Sequence, residues 1–398
     1  MLIYMITHND LSVSEGPVTH FTEIAQNFND LGHESTAFAP DLSVKRRPWP
    51  LEVHYLPTLV RRRGISQLFY ELSLLLALWK ACRRRPPDVI YSRQSYISLA
   101  APFVAARLGI PLVTEVNGVF TDDLAGRNAG VLRRWINRVS ESYAYARSQL
   151  IIGVSQRVCD VAAKLYGVPE EKLLTLENGV NTEKFQPQPE AVRTDLRSRL
   201  GLAPEHVCIG YVGCFTPFDG VELLPAVARR LVDDGVENFR FVLIGEEKKK
   251  GEVERLIDLK GVSKYFTLTG RIEYAELQKH LSAFDIGIAP YRLRQHDGMG
   301  NSTYIGNSSL KCLEYSAMGL PVVSTYLPQS VYIEVSDCGI LCPPENEDKL
   351  VDAIKTLISQ GDDAWARMGE RGRELVVKQR SWRSVASRTL KAIEAVIG

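Results

Sequence analysis

The stretch GNSSLKCLEYSAMGLPVV, residues 306–323, holds a lysine and a glutamate three positions apart, Lys311 and Glu314. That spacing puts both on one helical face. Asn307, Ser308 and Ser309 are capping residue types, and Gly319 closes the pattern ahead of an apolar strand. Leu310, Leu313 and Ala317 can face a core, which turns Lys311 and Glu314 the other way. A cation beside the positive end of a helix suits a diphosphate, and a carboxylate one turn on can accept hydrogen bonds from vicinal hydroxyls such as those of ribose. The competing reading is an exposed i, i+3 ion pair, worth about a few tenths of a kcal/mol.

Three further glycine-bearing junctions follow strand-like runs: SEGPVTH, GYVGCFTPFDG and IGEEKKKG. Glycine lets backbone approach a ligand closely, and free N–H groups at a helix start attract phosphate. None of the junctions is GxGxxG or GxxxxGK[ST], so neither a dinucleotide dehydrogenase nor a P-loop nucleotidase is supported. Glu115, in TEVNG, is a candidate base at a strand end, although such carboxylates are more often structural. His20, near the start of the first helix, is open between reaching a ligand and packing, and His33 in LGHE reads as structural. Neither a DxD-type metal motif nor a histidine cluster is present, so no metal or other cofactor is expected. The seven cysteines, at 82, 159, 208, 214, 312, 338 and 342, form no CxxC pair, which argues for reduced thiols in a cytoplasmic chain.

The elements that must position these residues alternate throughout. Short β-rich runs (LIYMIT, ESTAFAP, DVIYS, PLVTEV, LIIGVS) are separated by helical patterns, the signature of a parallel sheet covered on both faces. A charged, proline-bearing stretch, NTEKFQPQPEAVRTDLRSRLGLAPEH, reads as a linker, after which the pattern restarts with VCIGYVG. With 398 residues, 45% of them apolar, two α/β domains follow, each with its ligand edge at the carboxyl ends of its strands and a cleft between them. The net charge of +1 gives no pull toward nucleic acid. Residues 41–150 are nonetheless basic, with 17 Lys and Arg against 8 Asp and Glu. There, Ile65, Phe69, Leu72, Leu76 and Trp79 follow helical spacing between arginine clusters at 61–63 and 83–85. Such a helix packs on the sheet or rests on an anionic membrane surface. The N-terminus reads as a first strand and not a signal peptide, and no window approaches the ~18 apolar residues of a membrane span.

Six segments in order, from EGPVTHFTEIAQNFNDLGHE through ENGVNTEKF, GYVGCFTPFDGVELLPAVARRL, FVLIGE and FTLTGRIEYAELQKHLSAFDIGIAPY to KCLEYSAMGLPVV, resemble the family 4 retaining glycosyltransferases of the GT-B fold. The resemblance spans almost the whole chain, and the helix places it with a branch carrying S-x-K-x-x-E-Y. It implies two Rossmann-like α/β/α domains facing a central cleft: residues 1–186 on the acceptor side, 187–378 binding the nucleotide sugar, and a helix at 379–398 returning to the first domain. It also implies a donor site in which Glu314 binds ribose and backbone at Ser309 and Leu310 meets the diphosphate. Gly270 and Arg271 would hold the base, Gly213 would line the loop opening the second domain, and Gly16 would approach from the first.

Departures from the family pattern are as informative. Where the family carries an Arg and a Lys that neutralise the leaving diphosphate, this chain has Cys214 and Asp219, and Lys311 is expected to take over part of that task. The first carboxylate of the family's paired glutamates falls at Gly306, which leaves sugar recognition to the polar loop His296 to Tyr304. A family histidine is replaced by Asn117, which can contact the transferred sugar but cannot act as a base. The expectation is a metal-independent hexosyltransferase using a UDP- or GDP-sugar, with Asn117, Lys311 and Glu314 as its catalytic residues. Its acceptor would be a polysaccharide or lipid-linked glycan at the inner face of the membrane. A UDP-sugar 2-epimerase and a sugar-nucleotide-binding protein without catalysis are the alternatives.

Overall fold

The computed structural model describes residues 1–13, 16–42, 49, 51–58, 63–126, 129–246, 251–292 and 309–398. The chain divides into two compact units, one of residues 1–178 with 382–398, the other of 179–292 with 309–381.

The first unit is built on a parallel sheet of β1 (Leu2–Ile6), β2 (Glu34–Asp41), β3 (Glu52–Pro57), β4 (Val89–Arg93), β5 (Leu112–Val116), β6 (Leu150–Gly153) and β7 (Leu173–Thr175), in the order β3-β2-β1-β4-β5-β6-β7. β1, β4, β5 and β6 are buried along their whole length, as near-continuous apolar runs in a doubly covered sheet should be. β3 and β7 are edge strands with partly exposed residues, too short or too polar to stand out from periodicity. Strand order reverses between β1 and β4, which places a ligand-binding edge beyond their carboxyl ends. The helix Trp382–Ile397 packs on the first helix, Gly16–Asp30.

The second unit repeats the plan with β8 (Val207–Val212), β9 (Phe239–Ile244), β10 (Phe266–Gly270), β11 (Ile286–Ala289), β12 (Val322–Thr325) and β13 (Gly339–Cys342), ordered β10-β9-β8-β11-β12-β13 and parallel throughout. Here the reversal lies between β8 and β11. Its core packs Phe239, Phe241, Leu243 and Ile288 on one face and Phe284, Tyr315 and Val322 on the other.

Two sequence expectations need correction. The linker is helical over Glu190–Arg199 because Arg193 and Arg197, one turn apart, both engage Asp285, whose second oxygen also accepts the backbone N–H of Cys208 at 2.6 Å. In the basic helix, observed as Arg63–Arg84, the face on the sheet is Tyr70, Leu74, Leu78 and Cys82, whereas Leu72 and Leu76 are exposed and Phe69 and Trp79 half-buried. The periodicity holds, but the predicted stripe is not the one that packs on the sheet: two apolar stripes run along this helix, and Tyr70 fixes the buried one through its hydroxyl, which donates to Thr7 O at 2.6 Å. Residues 61–62 lie outside the described residues, as do the loop His296 to Tyr304, Gly306, Asn307 and Ser308.

Candidate functional site

In the second unit the helix Leu310–Ala317 starts beyond the carboxyl end of β11 and leads back into β12. Ser309 is its N-cap, its hydroxyl accepting the N–H of Cys312 and meeting the phenol of Tyr291. Tyr315 seats the helix on the sheet: its hydroxyl accepts Val212 N–H at 2.8 Å and donates to Ile288 O at 3.3 Å, at the ends of β8 and β11. Leu313 and Ala317 are buried as expected, but so are Lys311 and Glu314, each 9% exposed. The surface ion pair is therefore not what the spacing encodes.

Lys311 reaches back over the end of β8. Its Nζ donates to Asp219 Oδ1 at 2.7 Å and to Tyr211 Oη at 2.9 Å, over the rings of Tyr211 and Tyr291 at 4.3 and 4.9 Å. Burial holds both phenols well above their usual range, so Tyr211 stays neutral, donating to Cys214 O while it accepts from Lys311. An ammonium has three donors, and among the described residues two are engaged. Asp219 is held by the hydroxyl and N–H of Thr216. At the position where the resemblance leads one to expect a cation, an anion instead anchors a cation delivered from the other side of the loop.

Glycine is required beneath this lysine. Gly213 has φ +145°, and a Cβ there would lie 2.9 Å from Lys311 Nζ. Gly213 in turn packs so tightly on Gly245 that a Cβ at Gly245 would fall 1.8 Å from Gly213 O. Gly245 donates to Gly270 O at 2.9 Å, so the ends of β8, β9 and β10 are laced together through three glycines. Arg271, half-exposed at the far end of that row, lies 3.8 Å from Glu246.

Glu314 contrasts with Lys311. Its carboxylate makes no hydrogen bond or ion pair among the described residues, and burial raises it to about 7 against the opposing pull of Lys184 and Lys311. A buried acceptor left without donors is a costly arrangement unless a ligand supplies them.

In the first unit Asn117 follows β5, and its amide donates to Glu115 Oε1 at 2.5 Å, which leaves its carbonyl to accept. Glu115 is saturated: Tyr91 Oη at 2.7 Å, Arg93 Nη1 at 3.0 Å and His20 Nε2 at 3.2 Å also converge on it. Burial alone would raise its pKa, but His20 and Arg93 outweigh that and hold it well below the usual carboxylate range, so it is no base. His20 is buried against Trp382, with ring centroids 4.9 Å apart, and its role is packing and pairing. Gly16 is the exposed first residue of its helix. The structure thus gathers Lys311, Glu314, Ser309, Leu310 and Gly213 at one edge of the second unit and places Gly270 and Arg271 two strands along it. Tyr211 and Tyr291, which sequence reasoning missed, are recognisable only as aromatics at the ends of apolar runs.

Two family models match the chain, "Glycosyltransferase Family 4" over residues 14–184 and "Glycosyl transferases group 1" over residues 206–360. An MMP α-(1→4)-mannosyltransferase of Mycolicibacterium hassiacum is 25% identical across 100% of this chain and 98% of its own. A GDP-mannose-dependent α-(1-6)-phosphatidylinositol monomannoside mannosyltransferase of Mycobacterium tuberculosis is 31% identical over 229 residues, 55% of each chain. Among solved structures, a glycosyltransferase from Rickettsia africae superposes with a TM-score of 0.76 at 16% identity, covering 100% of this chain and 98% of that one.

Proposed function

Because the chain belongs to the glycosyltransferases, with a family 4 domain followed by a group 1 domain on the GT-B fold, we propose that it moves a hexose, with retention and without a metal, from a nucleoside-diphosphate sugar to a glycan or lipid-linked acceptor. The observation that carries the reading is Lys311: a buried ammonium beside a helix N-terminus, anchored by Asp219 and Tyr211, with one donor not engaged among the described residues and open to a phosphate oxygen. The N–H groups of Ser309 and Leu310 belong to the first turn, where backbone donors lack helical partners and favour anions. Glu314 is the acceptor for vicinal ribose hydroxyls. Backbone at Gly270 and Arg271 takes the base, Gly213 lets the diphosphate approach, and Gly16 and Asn117 contact the donor, Asn117 through its carbonyl.

In this reading the bond from the anomeric carbon to the diphosphate breaks as the acceptor oxygen bonds to the same face. The acceptor proton passes to the departing phosphate oxygen, so no protein base is required. Rate then rests on orientation and on stabilising the charge of the diphosphate, the task of Lys311. The Ser309, Lys311, Glu314 and Tyr315 pattern supports membership of the S-x-K-x-x-E-Y branch, since each of the four has a separate part: cap, cation, ribose acceptor and anchor. UDP and GDP are the candidate leaving groups, and the name of the M. tuberculosis relative favours GDP and mannose. An acceptor at the inner face of a membrane, approached through helix Arg63–Arg84, completes the proposal.

The test is thermal stabilisation by UDP, GDP, ADP and their sugar conjugates, with and without EDTA, followed by product analysis. One nucleotide at ~100 times its dissociation constant should add about 2.7 kcal/mol, in EDTA as well as without it, and Glu314→Ala should abolish the gain. Lys311→Met with Asp219→Asn should keep the fold and lower turnover by ~10²-fold or more, the scale of a lost charge-stabilising donor. Isomerised donor, or binding without transfer, would reject the transferase reading.

A further inference from the structure

Helix Val131–Arg147 is built inside out along most of its length. Its inward face carries Asn137, Ser140 and Glu141, all buried, and turns apolar only at its end with Ala144 and Tyr145, while Val131, Leu132, Trp135, Ile136 and Val139 face outward, with Val131 73%, Leu132 70% and Trp135 61% exposed. A surface helix normally does the reverse. The polar face has a local cause: Glu141 accepts the N–H of Phe120 at 2.6 Å and of Thr121 at 3.1 Å, capping the preceding helix Phe120–Gly126, and also the hydroxyl of Tyr166 at 2.6 Å. No such cause accounts for the apolar face among the described residues.

The helices beside it bury apolar faces in the ordinary way, yet they too carry apolar side chains outward. Helix Arg63–Arg84 turns Leu68, Leu72 and Leu76 outward, and its single acid, Glu71, is buried and caps helix Ala100–Leu108 through the N–H groups of Leu99 and Ala100 at 2.7 Å. Helix Ala100–Leu108 packs against both of the others and exposes Phe103 and Arg107. Each acid on the three helices is therefore withdrawn inward, and the exposed charges they carry are all basic, Arg133, Arg138 and Arg147 among them. Apolar side chains with a tryptophan, flanked by arginines and free of outward carboxylates, form a surface complementary to an anionic lipid interface.

We propose that helix Val131–Arg147, with the outer faces of helices Arg63–Arg84 and Ala100–Leu108, docks the protein on anionic bilayers, Trp135 entering the interface and Arg133 and Arg138 pairing with lipid headgroups. The inference deepens the membrane-side reading of Arg63–Arg84, but helix Val131–Arg147 carries it independently of the donor chemistry. The test is cosedimentation of the full chain, without nucleotide, with phosphatidylcholine vesicles lacking or containing phosphatidylglycerol. Binding should require phosphatidylglycerol and weaken with salt, fall about fivefold for each of Arg133→Ala and Arg138→Ala, and be lost in Leu132→Ser with Trp135→Ser, all at unchanged melting temperature and unchanged nucleotide response. No binding to anionic vesicles, binding indifferent to these substitutions, or a dimer in sedimentation that Trp135→Ser dissociates would overturn it, the last by giving the face to a second copy of the chain. Because no nucleotide is present, failure here leaves the transferase reading untouched, and failure of that reading leaves this test intact.

Discussion

Two buried glutamates titrate in opposite senses because their neighbours differ. Glu115 has four donors around it, and its depressed pKa means that it stabilises the fold fully above about 4.5, a contribution lost as pH falls from there toward the folded value. Glu314 has no donor among the described residues, and burial raises its pKa from 4.5 to about 7. The folded state then holds a proton that the unfolded state releases, and this stabilisation is complete below 4.5 and disappears as pH rises through about 7. Glu314→Gln should accordingly stabilise the unliganded protein at pH 8, by at most about 3 kcal/mol, with the gap closing by pH 5 in denaturant titrations. The same variant should bind nucleotide more weakly at pH 8. A variant no more stable than wild type at pH 8 would mean that Glu314 already has its donors.

Among the elements, the helix Glu190–Arg199 contributes little apolar burial of its own: none of its residues is fully buried. What holds it is Asp285, which takes Arg193 and Arg197 on one side and the start of β8 on the other. Removing one member of a buried, hydrogen-bonded charge cluster leaves the rest uncompensated, typically at about 3–5 kcal/mol. Asp285→Ala should therefore lower stability by that order in urea titration and raise hydrogen exchange over 190–199 and at Cys208. An unchanged midpoint would show that the two arginines are held well enough by the carbonyls of Ser282, Phe284, Ala283, Ala203 and His206.

The chain as a folded object is discontinuous: its last helix belongs to the first unit although the second intervenes. Trp382, 2% exposed, is the hinge of that return, packed on His20 in the helix that follows β1. Truncating a buried tryptophan costs about 3–5 kcal/mol. Trp382→Ala should thus loosen the first unit selectively, with hydrogen exchange rising over Gly16–Asp30 and unchanged over Leu310–Ala317. Equal loosening of both helices would show that the units unfold as one.

Much was legible in the linear chain, for physical reasons. Buried parallel strands demand continuous apolar runs, so β1, β5, β8, β9 and β11 announce themselves, and two rounds of alternation imply two sheets. The helix Leu310–Ala317 and its Ser309 cap are legible too, because caps and helical periodicity depend only on neighbours in sequence. The partners of those residues are another matter. Asp219 lies 92 positions from Lys311, and the pair exists only because β8 and the helix after β11 end at the same edge of the sheet. Which stripe of a two-striped helix goes inward is likewise a long-range outcome: Tyr70 meeting Thr7 turns Leu74 and Leu78 in and leaves Leu72 and Leu76 out, and Glu141 meeting Phe120 turns a polar side in and leaves a tryptophan facing out. Local periodicity cannot decide that, because both faces satisfy it equally until the neighbouring elements offer their donors and acceptors.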